Sequence, residues 1–185
     1  MNLGQTMLMV MFFGLLIVMF MNAYRTLNNA DTELMTSEAV KTATDLGRSL
    51  MSEILTKKFD EGSTPGAAQI SLTSPPFTAP GSLGTDAGET ITKPDRYPYQ
   101  SIAKYDDVDD YNGYTRLVDS TNGLNGFKDS VVVYYVDVNG TKSTSTMQWY
   151  KQIEVWITQD PYLKPNPGTT TWLKFYSIVT NGRKG

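Results

Sequence analysis

The sequence contains no cysteine and no histidine. The first absence removes thiol nucleophiles, thiolate metal sites and disulfide frameworks. The second removes imidazole ligands and every triad built on a histidine base. Charge is sparse, at 19% of residues with a net charge of −3, and Lys and Arg occur at most in pairs such as Lys57-Lys58 and Arg183-Lys184. A nucleic-acid surface needs clustered cations to neutralise phosphates, so no nucleic-acid partner is expected. Proline is missing from Met1 through Thr64, and glycine is confined there to positions 4, 14, 47 and 62. A stretch this free of breakers can stay helical throughout.

What the chain does have is an apolar N-terminus. From Leu3 to Tyr24 no residue is charged, and only Gln5, Thr6 and Asn22 are clearly polar. At about 1.5 Å per residue this segment reaches roughly 33 Å as a helix, enough to cross a hydrocarbon core of about 30 Å. A cleaved secretory signal would carry a cationic start and an A-x-A site, and neither is present. Beyond it Leu27, Ala30, Leu34, Ala39, Ala43, Leu46, Leu50, Ile54 and Phe59 recur mostly at steps of three and four, an amphipathic stripe. Asp60 to Gly66, with Gly62, Pro65 and Gly66, stops the pattern. The spacing predicts one helix of about 55 residues, roughly 80 Å long.

Residues 61–100 hold Ser74-Pro75-Pro76 and Ala79-Pro80-Gly81 among small polar residues, and read as a loop-rich connection. Three β signals follow. Ser130 to Val138 is β-branched and aromatic, and Asn139-Gly140 supplies a turn. That turn explains Asn139-Gly140-Thr141 better than a glycosylation sequon does. Tyr150 to Thr158 alternates, with Ile153, Val155 and Ile157 on one face and Gln152, Glu154 and Trp156 on the other. Thr169 to Thr180 reads as a last strand. Strands in sequence favour an antiparallel meander, and its apolar face needs a cover, which the striped half of the helix offers. The expectation is an α+β fold. Residues 1–60 form the helix (3–24 transmembrane, 25–60 amphipathic), 61–100 the connection, and 101–185 a small antiparallel sheet domain.

Two features carry candidate chemistry. Asp106, Asp107, Asp109 and Asp110, followed by Asn112, concentrate hard oxygen ligands of the kind calcium prefers, although the spacing is not that of an EF-hand. The alternatives are a solvated acidic turn or a protein contact. Trp149, Trp156 and Trp172 offer either an aromatic platform or packing within the core and beneath the loop. Ser101-Ile102-Ala103-Lys104 matches S-x-x-K, but S-D-N and K-T-G are missing, so the match carries no acyl-transfer expectation. Lys57-Lys58 suits a helix C-terminus, where cations offset the macrodipole. Nothing else points to catalysis, and the chain is not expected to be an enzyme.

A long helix, lipid-soluble first and amphipathic later, laid on an antiparallel sheet resembles the type IV pilin and pseudopilin superfamily. Gly4-Gln5-Thr6-Met7-Leu8 is similar to the opening of prepilins at their processing site. Leu46 to Asp60 is similar to the helix end of minor pilins, and Tyr105 to Tyr114 to an acidic aromatic element of some minor pilin-like proteins. The resemblance implies a structural subunit of a cell-surface filament in a prokaryote. Such a subunit is held in the inner membrane as a precursor, and then polymerises with itself through the assembly machinery. Pilins usually place a Glu five residues into the mature chain; here that residue is Gln5, or Met9 if cleavage follows Gly4, so no ion pair forms there. Assembly would rest on packing by Gln5, Met7, Leu8, Met9, Met11, Phe12, Phe13, Leu15, Leu16 and Phe20. The alternatives are a minor pilin or pseudopilin of a secretion or initiation complex, and a monomeric membrane-tethered binding module.

Overall fold

The computed structural model describes residues 3–63, 77–119, 125–160, 162–163, 165–166, 169–170 and 172–181. Helix α1 runs unbroken over Leu3–Leu55, and α2 is a single turn at Ser101–Lys104. The strands are β1 (Thr115–Val118), β2 (Phe127–Val136), β3 (Lys142–Ser143), β4 (Tyr150–Gln159), β5 (Pro165–Asn166), β6 (Thr169–Thr170) and β7 (Leu173–Thr180). The main sheet has the order β1-β2-β4-β7, with β3 added to β2, and every pairing is antiparallel. Strands β5 and β6 pair separately as a short ribbon.

Two compact units are present, Met1–Glu38 and Ala39–Gly185. In the first, α1 is long and apolar enough to cross a membrane, and its apolar side chains are exposed, Leu16 being half-buried. Four threonines of the helix add a bond within it. The Thr26, Thr32, Thr36 and Thr44 hydroxyls each donate to the carbonyl four residues back at 2.8–2.9 Å, which satisfies them without a partner element.

The second unit forms because alternation and stripe meet. Ile153, Val155 and Ile157 of β4 face inward, in register with Val133, Val131 and Asp129 of β2, and with Ser177, Phe175 and Leu173 of β7. Ala39, Ala43, Leu50 and Ile54 of α1 are buried in the same core. Gly47 is a point of close approach: a Cβ there would lie 2.4 Å from the Phe175 ring and 2.8 Å from Ile157 Cδ1. Small residues at 39, 43 and 47 let the helix backbone settle onto the sheet. Tyr105, Tyr111 and Tyr114 close the core with edge-to-face contacts at 4.9–5.7 Å.

Several boundaries differ from the sequence reading. Leu27 and Leu34 are exposed, so the covered part of the stripe begins at Ala39. Strand β1 carried too short a signal, four residues, to be read. The last strand starts at Leu173, because Thr169–Thr170 pairs with Pro165–Asn166 instead. Asn139-Gly140 does turn the chain: the Gly140 N–H donates to the Asp137 carbonyl at 2.9 Å, with φ at 79°. The Ser74-Pro75-Pro76 signal lies outside the described residues; from Phe77 to Gln100 the connection has no strand or helix.

Candidate functional site

The acidic run predicted at 106–110 is a buried centre, because the chain leaving α1 pairs with it. The Lys58 N–H donates to the Asp106 carbonyl at 3.2 Å, and the Val108 N–H to the Lys58 carbonyl at 2.9 Å. This short parallel bridge presses Asp107, Asp109 and Asp110 inward, where each is almost wholly buried, while Asp106 stays half-exposed. The solvated turn is therefore corrected. Loop carboxylates fold in when backbone amides receive them. Asp107 Oδ1 accepts the Asp109 and Asp110 N–H groups at 2.8 and 3.2 Å, and Asp110 Oδ2 accepts those of Asp106 and Asp107 at 3.0 and 3.2 Å.

Residues not singled out in the sequence join them. Lys151 on β4 is fully buried; its ammonium donates to Asp60 Oδ2 at 2.8 Å, Asp109 Oδ1 at 2.6 Å and the Phe59 carbonyl at 2.7 Å. It also lies over the Phe59 ring at 4.6 Å. The available sequence signal was Lys151 itself, a charged residue one step from Gln152 on the inward side of the alternation. Asp60, Glu61 and Asp107 form one carboxylate group, and Glu61, Glu89, Asp106 and Asp110 a second, with one oxygen from each residue within 4.8 Å of the others. Burial, reinforced by neighbouring carboxylates, pushes Glu61 and Glu89 up to about 7 and Asp107 up to about 10, and also raises Asp109.

The remaining motifs make hydrogen bonds and packing contacts within the fold. Ser101 is buried; its Oγ donates to Glu53 Oε1 at 3.0 Å and lies 3.0 Å from the Tyr114 hydroxyl, while Lys104 donates to the Thr90 carbonyl. Glu53, on α1, also accepts from the Tyr111 hydroxyl at 2.7 Å and from Arg116 at 3.4 Å. Lys57 and Lys58 lie past the end of α1 and clamp the acidic loop: Lys57 donates to the Ile102 and Tyr105 carbonyls, and Lys58 pairs with Asp106 at 2.6 Å. The tryptophans divide between two places. Trp149 packs edge-on against Phe77 at 5.3 Å beneath the connection, whereas Trp156 and Trp172 pair at 5.0 Å on the outer sheet face.

The predicted assembly residues all fall on α1. Gln5, Met7, Leu8, Met9, Met11, Phe12, Phe13, Leu15 and Phe20 are exposed, and Gln5, Leu8, Met9 and Phe12 line a single shallow groove along one helix face. No protein-family model, curated protein or solved structure matches the chain.

Proposed function

We propose that the chain is a membrane-anchored, pilin-like subunit of a surface filament, whose N-terminal helices pack together while the sheet domains form the coat. One observation carries this reading: a single unbroken helix is apolar and uncovered over its first part and is built into a sheet domain from Ala39 onward. Uncovered apolar side chains are stable only in lipid or against other apolar side chains. A lone anchor would need only the first kind of partner. The groove lined by Gln5, Leu8, Met9 and Phe12 also suits a second helix, and flexible methionines adapt to such contacts. With no carboxylate in the segment, the register between helices would come from side-chain shape and from the Gln5 amide.

The test is electron microscopy of material sheared from cells expressing the chain. Thin filaments that vanish when residues 1–25 are deleted are expected. Membrane-bound monomers and no filaments would instead favour the tethered module. Copy number along a filament separates a major subunit from a minor pilin or pseudopilin.

A further inference from the structure

The four carboxylates Glu61, Glu89, Asp106 and Asp110 come from three separate stretches of chain: the turn after α1, the loop after Phe77, and the acidic run before β1. Three of them have a buried oxygen with no hydrogen-bond partner, namely Glu89 Oε2, Asp106 Oδ1 and Asp110 Oδ1. Asp110 is fully buried, and its other oxygen is fixed by two backbone N–H groups, so Oδ1 is held in place against another carboxyl, that of Glu89, rather than a donor. Asp106 is similarly divided, since Lys58 takes Oδ2 and leaves Oδ1. The nearby cation Lys151 is already spent on Asp60 and Asp109. Buried carboxylate oxygens left bare in this number are costly, and a proton on one carboxyl would satisfy only a pair.

We propose that these residues form a calcium site that staples the turn after α1 to the loop after Phe77 and to the acidic run before β1. Oxygens within 4.8 Å of one another can share a centre at the 2.3–2.6 Å of calcium–oxygen bonds. Hard carboxylate donors with no nitrogen or sulfur select calcium over the softer transition metals. Magnesium, which demands a compact octahedron at about 2.0–2.1 Å, fits a spread cluster of carboxylates less well. The half-exposed Glu61, Glu89 and Asp106 leave the site open on one side for the ion and its waters. The proposal does not depend on filament formation and holds equally for a tethered monomer.

The full chain, purified in detergent and stripped with chelator, is titrated calorimetrically with calcium chloride and melted with and without the ion. One saturable calcium per chain is expected, with the Tm raised by about 5–10 °C at a hundredfold excess over Kd. Magnesium at the same concentration should bind at least tenfold more weakly. Glu89→Gln, on a half-exposed loop, should fold with the chelated parent's Tm yet bind calcium at least tenfold more weakly. Asp106→Asn, which gives up only a surface ion pair, should do the same. No saturable heat together with equal Tm values in calcium and chelator overturns the site. So does parental calcium affinity in both folded variants, or tighter binding of magnesium.

Discussion

At the scale of single residues, the decisive ones are those whose environment contradicts their type. Gly47 is a glycine in mid-helix, where an alanine would ordinarily add up to about 1 kcal/mol of helix stability. Here a Cβ would meet the Phe175 ring and Ile157 Cδ1 at distances that no side chain tolerates without movement. Gly47→Ala should therefore destabilise the protein by about 1–3 kcal/mol, read as a lower Tm, despite the better propensity. An unchanged or raised Tm would mean that the helix does not seat on the sheet at this point. Lys151 is the opposite case, a cation wholly buried from solvent, tolerated because two carboxylates and a carbonyl surround its ammonium. The role of Gly47 was not legible in the sequence, and that of Lys151 showed only as a charge on the inward side of the alternation. A glycine in a helix and a lysine in a strand are each ordinary until the facing element is known.

Among elements, β4 and β7 show what pairing adds. Glu154 Oε1 receives Lys174 at 2.8 Å, the Tyr134 hydroxyl at 2.7 Å and the Gln152 amide at 3.1 Å, which ties three strands on the outer face. Burial alone would raise this carboxyl, but the hydrogen bonds from Lys174 and Tyr134 outweigh it and hold the group below the ordinary 4.5. A lowered folded-state value stabilises the protein above that pH, and the contribution is lost as pH falls through the folded value. The Tm gap between the parent and Glu154→Gln should thus be widest above pH 4.5 and close on acidification. Because Lys174 is well exposed, the gap corresponds to about 1 kcal/mol or less. A gap that persists at pH 2 would assign the effect to packing. Elements with strong periodicity were legible beforehand: the breaker-free helix, the Ile153/Val155/Ile157 face and the turn at Asn139-Gly140. Strand β1 was not, since four residues with two charged or polar members give no period to read. The acidic run could be seen as ligand chemistry, but Glu61 and Glu89 lie far from it in sequence and only folding brings them near.

The whole molecule is organised by what its first helix lacks. Among the residues from Leu3 to Tyr24 there is no charge to place in an apolar surrounding, so a single one should be conspicuous. On the proposed assembly, Leu8→Asp or Phe12→Asp should abolish filaments while the melting of the sheet domain stays at its parental Tm, because a bare carboxylate among packed helices would cost about 3 kcal/mol or more per copy. Normal filaments from either variant would count against packing of this segment as the basis of assembly. The fit of helix to sheet at Gly47 also has a place in time. The stripe from Ala39 to Ile54 leaves the ribosome well before Ile157 and Phe175, which cover it, are made. Pairings this distant in sequence close late, and uncovered apolar surface is sticky in the interval. A nascent chain stalled before β7 presents an open apolar trough in addition to a segment long and apolar enough to cross a membrane. Expression in the cell should therefore be sensitive to whatever shields that trough until β7 arrives.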